Sequence, residues 1–203
     1  MSDAHAFLPI GRLAAVLSVA MVLGACGGGG GDEAAASSGA TPPDATGGTD
    51  GTLLALDAST SCGLPDFRAS LLQLINAARA SARTCGSTAM PAVGVVAWDD
   101  RLFSAAARHS REMAQNNVFS HTGLNGSSPA QRIAAEGYAA SWSGENIAAG
   151  YTSAADVMNG WLASAGHCSN LMRAEYRDVA VSCVYQAGSS YGQYWTLVLA
   201  RPQ

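Results

Sequence analysis

The spacing of apolar and polar positions divides the chain into an unpatterned first quarter and a periodic remainder. In "PDFRASLLQLINAARASA", Phe67, Leu71, Leu74, Ile75 and Ala78 recur at helical spacing, and Asp66 after Pro65 stands as the N-cap candidate. "WDDRLFSAAARHSREMAQNN" predicts a second helix, capped by Asp99 or Asp100, with Leu102, Ala106, His109 and Met113 on one face. "SSPAQRIAAEGY" predicts a shorter one, with Ser128 as N-cap, Pro129 at the first position and Gly137 past the end. A fourth, "TSAADVMNGWLASAG", buries Val157, Met158, Trp161 and Leu162 and stops at Gly166. The period then falls to two. "VAVSCVYQ" puts Val179, Val181, Cys183 and Tyr185 on one face of a strand, "AGSSYG" is a turn, and the more continuously apolar "QYWTLVLA" reads as a strand inside the sheet. "GVVAW" is a candidate earlier strand. Helices followed by a hairpin predict an α+β sandwich, an antiparallel sheet covered by helices.

The unpatterned part has its own logic. Phe7 to Ala25 is almost free of charge and ends in small residues before Cys26, which is the pattern of a signal peptide over residues 1–25. The apolar run is too short to be a membrane-spanning helix. "LGAC" resembles the lipobox of bacterial lipoproteins, which implies cleavage before Cys26 and acylation of its thiol; a plain secretory signal is the alternative. Residues 27–52 contain no aromatic residue and no aliphatic one larger than alanine, so residues 26–57 are expected to form a flexible Gly/Ser/Thr/Pro tether. Such a chain would be anchored to a membrane by lipid, or secreted, rather than spanning the membrane. Residues 58–203 remain as one domain, which holds all four tryptophans. A net charge of −4 supplies no basic patch, which argues against nucleic acid as a partner.

Export decides what cysteine can be. With Cys26 set aside, Cys62, Cys85, Cys168 and Cys183 form an even set that implies disulfides with three possible connectivities. Closeness in sequence favours Cys62–Cys85 and Cys168–Cys183. "SAGHCSN" places His167 beside Cys168, which reads as a nucleophile with its base, as two metal ligands, or as a cleft histidine next to a disulfide. The even set argues against a free thiol, and adjacent side chains on a helical or turn backbone point roughly 100° apart. His109, on an apolar helix face, reads as a core histidine. His121 in "NNVFSHTG", Glu145 in "SGENIAAG" and His167 each fall at the end of an element or in a loop, where binding groups concentrate. Two histidines and a carboxylate form a common zinc set with an open position, although their spacing leaves surface loop residues as the bland alternative.

"LLQLINAAR", "WDDRLFSAAARHSREMAQNNVFSHTG", "GYAASWSGENIAAG", "VMNGWLASAGHCSNLM" and "YWTLVLA" occur in an order that resembles the CAP superfamily: cysteine-rich secretory proteins, antigen 5 and the plant pathogenesis-related 1 proteins, also called SCP domains. The bacterial branch is the most similar. The resemblance covers most of residues 66–200 and implies a three-layer α-β-α sandwich with a small antiparallel sheet. The family's cavity carries two histidines and two glutamates. Carried over, the first histidine is His121 and the glutamate of "GEN" is Glu145. The second glutamate falls on Ser164 and the second histidine on Tyr194, so both are absent. The "SxGH" histidine of bacterial members is His167. The resemblance implies that His121, Glu145 and His167 converge in one cleft, joined by Tyr194, as candidate ligands for Zn2+ or another divalent cation. It also implies a binding module for a small ligand, a lipid or a metal. The alternative is a zinc hydrolase with Glu145 as general base.

Overall fold

A computed structural model describes residues 51–203, which fall within one compact unit, Ala45–Gln203. The predicted signal peptide, Cys26 and the tether up to residue 50 lie outside the described residues. Packing begins earlier than residue 58: Leu54 and Leu56 sit against the core, and Leu54 N donates to Ser104 Oγ at 2.9 Å.

The elements run α1 (Phe67–Arg79), β1 (Arg83–Cys85), β2 (Thr88–Met90), β3 (Ala97–Trp98), α2 (Asp100–Asn116), α3 (Pro129–Ala135), β4 (Ala140–Ala149), α4 (Ala154–Ala163), α5 (Ala165–Leu171), β5 (Asp178–Tyr185) and β6 (Gln193–Pro202). The main sheet has the order β3-β5-β6-β4, so the continuously apolar strand lies inside it, as expected. Strand periodicity sorts the two faces. Val179, Val181, Cys183, Trp195, Leu197 and Leu199 face Phe67, Leu71 and Ile75 of α1 and Val157, Met158 and Trp161 of α4. Ala180, Val198 and Ala200 face Leu102, Phe103 and Ala106 of α2. Helices therefore cover both sides of one sheet, the three-layer α-β-α arrangement. Among the described residues, no helix is long and apolar enough to cross a membrane.

Local details depart from the sequence expectations in four places. Asp66 lies in the left-handed region (φ 48°) and its side chain caps nothing, whereas Asp99 and Ser128 do cap α2 and α3. The short strand β3 pairs parallel with β5, so the sheet is mixed. Glu145 sits in the middle of β4 instead of a loop, because β4 pairs with β6 along its whole length and the ladder overrides its weak alternation. The fourth helix stops at Ala163; Ser164 is extended (φ −89°, ψ 122°) and a new helix, α5, starts beyond it, carrying His167 within it.

The favoured cysteine pairing is corrected as well. The disulfides are Cys62–Cys183 and Cys85–Cys168. The segment before α1 runs beside β5, where Cys62 N donates to Cys183 O at 2.9 Å and Cys183 N to Thr60 O at 3.0 Å. After α1 the chain forms the β1–β2 hairpin, which seats on α5. A Cβ at Gly86 in that turn would lie 2.7 Å from Ala165 Cβ, so the hairpin can approach α5 this closely only with glycine there. Cys168 thus turns away from the main sheet to meet Cys85. Nearness in sequence misled because each partner is brought in by packing across the fold.

Candidate functional site

His121 lies in the loop that leaves α2. Asn117 ends that helix in the left-handed conformation (φ 52°), which asparagine tolerates. Two residues of α2 then fasten the loop. Buried His109 donates from Nε2 to Ser120 O at 2.8 Å, and Glu112 Oε1 accepts from Leu124 N at 3.1 Å. His109 Nδ1 lies 3.2 Å from Glu112 Oε2, and the ring is 1 % exposed, a core histidine as expected. Burial pushes its pKa down.

Glu145 is the pivot. Its side chain is 2 % exposed, and each carboxylate oxygen is engaged. His121 donates from Nδ1 to Oε1 at 2.8 Å, and Arg132 donates from Nη2 to Oε2 at 2.6 Å. Arg132 also donates to His121 O at 3.0 Å and, from Nη1, to Ser127 O at 2.9 Å. It projects from α3, whose start is fixed by a capping box between Ser128 and Gln131. The His121 ring is about half exposed (51 %), and with Nδ1 tethered to Glu145 its Nε2 has no described hydrogen-bond partner.

His167 is brought to the same region by a chain of polar side chains. Asn146, next to Glu145, donates to His167 O at 3.1 Å and accepts from Asn170 at 2.9 Å; Asn170 in turn accepts from Tyr176 Oη at 2.9 Å. The α5 helix is further held from beneath by the Cys85–Cys168 bridge and by buried Arg79, which donates to Leu171 O at 2.6 Å. No described side chain hydrogen-bonds the His167 ring. Burial pushes its pKa down, with a smaller push in the same direction from His121. His167 lines a cavity of about 310 Å³ between β4 and the α4–α5 pair, with Phe119, Tyr151, Trp161, Ser164 and Tyr191.

Of the four expected cleft residues, His121 and Glu145 are in direct contact, and His167 lies beyond Asn146, the neighbour of Glu145. Tyr194 does not join them: it is fully buried, and its hydroxyl donates to Asn117 Oδ1 at 3.0 Å. Tyr191, three residues earlier in the hairpin, supplies the aromatic wall in its place. Sequence reasoning missed Arg132 and Asn146. The second was legible in principle, since it is the asparagine of the quoted "GEN".

The expected three-ligand metal set does not fit this geometry. Glu145 has both oxygens committed, one of them to a guanidinium, and among the described residues no group of three His, Cys, Asp or Glu side chains is arranged to hold a metal ion. The same commitments suit Glu145 to orienting His121 rather than to taking a proton itself. Cys168 is bridged, so it is no nucleophile.

The sequence model of the cysteine-rich secretory protein family, CAP, matches residues 72–199. The uncharacterized membrane protein YlbC of Bacillus subtilis is 33% identical over 84 residues, which is 41% of this chain and 24% of that protein. An extracellular protein containing a SCP domain from Bacillus anthracis is 28% identical, with a TM-score of 0.47, over 54% of this chain and 34% of that one. The crystal structure of NaASP2 with Zn2+ is 17% identical, with a TM-score of 0.50, over 72% of this chain and 87% of that one. The chain thus spans only about a quarter of YlbC, and the likeness to NaASP2 is one of fold.

Proposed function

Because the chain belongs to the cysteine-rich secretory protein family, with a profile match over residues 72–199, we propose that it is an exported binding module whose cleft takes a small, largely apolar ligand bearing one polar group. The observation that carries this reading is the cavity of about 310 Å³, walled by Phe119, Tyr151, Trp161 and Tyr191, with the unbonded His167 ring in its lining. A ring-sized apolar space with one convergent polar group is the usual make-up of a small-molecule site. Aromatic walls give contact area at low entropic cost, and a neutral imidazole accepts or donates one hydrogen bond to fix orientation. A lipid or sterol-like molecule fits that chemistry. Two disulfides support export to an oxidising compartment, and acylation of Cys26 would hold the domain at the cell envelope.

The test is native mass spectrometry of the protein incubated with a total lipid extract, repeated with Gly160→Val. A Cβ at Gly160 would fall 2.4 Å from the Tyr151 hydroxyl, so valine there displaces the ring that walls the cavity. Saturable binding lost in Gly160→Val supports the reading; binding that survives it, or none from any extract, removes it.

One observation favours a hydrolytic second reading. A carboxylate that fixes a histidine's tautomer and leaves Nε2 free is a general-base arrangement. Here the base would be His121, Glu145 would orient it, and water would be the nucleophile, since no described hydroxyl or thiol is hydrogen-bonded to His121 Nε2. Turnover of an ester or amide library, resistant to chelator and lost in His121→Ala, would favour it.

A further inference from the structure

We propose that Arg132 is the resident cation of this cleft: its guanidinium takes the place at Glu145 that a divalent metal would need, and so makes the site metal-independent. A carboxylate whose side chain is 2 % exposed requires a compensating positive partner, because an unpaired charge in a low-dielectric surrounding is strongly unfavourable. Three partners are available to such a group: a proton, a metal ion or a basic side chain. Arg132 is in place at 2.6 Å and is itself only 11 % exposed in its side chain. It is held by two further acceptors, the carbonyls of His121 and Ser127, and its helix is indexed by the Ser128 capping box. The guanidinium is therefore positioned before any ligand arrives.

A metal at Glu145 has to displace it. Displacement would leave a buried guanidinium without its counter-ion and next to a dication, and would also strip donors from two loop carbonyls. The surrounding charges offer no remedy. Glu145 and Arg132 cancel, and in the polar cavity of about 190 Å³ that Arg132 also lines, Arg108 pairs with Glu136 at 2.6 Å. The carboxylate left over, Glu112, accepts from Leu124 N at 3.1 Å and lines that second cavity rather than the one that holds His167. Two imidazoles carry ring nitrogens with no described hydrogen-bond partner: His121 at Nε2, and His167 in the lining of the 310 Å³ cavity. Two nitrogens without a carboxylate make an incomplete zinc set. The carboxylate has been moved outward, to the role of a partner that orients a histidine.

This inference stands apart from the ligand reading above, since it is read with metal alone. The experiment titrates Co2+, followed by its visible absorption, and Zn2+, followed by calorimetry, into wild type, Arg132→Gln, Arg132→Lys and Arg132→Gln/His121→Ala. The expected result is no saturable site in wild type or in Arg132→Lys, which keeps the charge. Arg132→Gln should gain one saturable site, with apparent affinity at least an order of magnitude above the unsaturable uptake of wild type and the spectrum of nitrogen and carboxylate ligands; the double variant should lose it. A saturable wild-type site that needs His121 overturns the proposal, as does a folded Arg132→Gln that gains nothing. Where Arg132→Gln does not fold, the wild-type titration decides alone: binding dependent on His121 overturns the proposal, and its absence supports it.

Discussion

The interior of the sheet and the cleft at its edge are neighbours built by opposite rules. Along β5 and β6, Val179, Val181, Trp195, Leu197 and Leu199 are fully buried against two helices, and their contribution is non-directional. Along β4 and α5, a few residues away, position is set by directional bonds: His121 to Glu145 to Arg132, and His167 through Asn146 and Asn170 to Tyr176. The interior therefore holds most of the stability and little of the chemistry. The cleft holds its groups by partners that each accept one kind of atom. It follows that the two regions should be separable by substitution.

The largest effect is expected inside. Leu197→Ala removes a side chain with no solvent exposure from the central strand and should cost about 2–5 kcal/mol in urea unfolding. The cleft should survive, with His121 and His167 ring resonances unchanged in the folded variant. Movement of those resonances would show that interior and cleft are one unit.

The two disulfides sharpen the contrast. They close loops of 121 and 83 residues, and in the chain-entropy account each contributes about 4.5–5 kcal/mol, with little to choose between them. Their surroundings differ. Cys62–Cys183 ties the N-terminal segment to β5, whereas Cys85–Cys168 lies beneath the residue that carries the imidazole of the cavity. Replacing Cys62 and Cys183 by serine should lower stability and leave His167 alone. Replacing Cys85 and Cys168 should lower stability by a similar amount and also shift the His167 resonance. Equal shifts from both pairs would break the distinction.

The same contrast explains how much was legible in the sequence. The stripes on α1 and α2, the caps Asp99 and Ser128, the interior place of β6 and the α+β layering follow from periodicity, because burial acts on every residue of an element at once. The meeting of His121 with Glu145 was expected from motif resemblance alone, since residues 24 apart at element ends carry no periodic signal. The disulfide pairing, the strand at Glu145 and the split of the fourth helix at Ser164 were misread, each being decided by a partner across the fold. Arg132 left no trace at all: in "PAQRIAA" it is an ordinary helix-surface arginine until β4 is brought against it. Directional sites depend on pairs, and a single sequence shows only one member at a time.

A smaller effect concerns pH. His109 and His167 both have their pKa lowered below the ordinary 6.5, in each case chiefly by burial. The unfolded chain thus takes up protons that the folded chain refuses. Stability from this source is complete above pH 6.5 and falls as the pH drops through the window between 6.5 and the lowered folded values. Urea midpoints measured from pH 7.5 to 5 should decline. His167→Gln should remove only its own share and leave that of His109, which lies on the α2 side. A midpoint flat across this range would mean that neither ring is as desolvated as the packing requires.

The smallest effect tests whether the edge is as local as this contrast claims. Ser128 caps α3 by accepting from Gln131 N, and the Gln131 side chain returns the bond to Ser128 N at 2.9 Å. Ser128→Ala should cost about 1 kcal/mol, a cap's usual worth. The consequence for the cleft should be larger than that number suggests, because α3 has only 7 residues and places Arg132 on Glu145. A helix that short is marginal without its cap. Amide exchange should therefore speed up along α3 and at Glu145 while the β5–β6 amides keep their protection. Uniform acceleration across the sheet would mean that the edge is bound into the same cooperative unit as the interior, and that its directional bonds do not form a separate layer of construction.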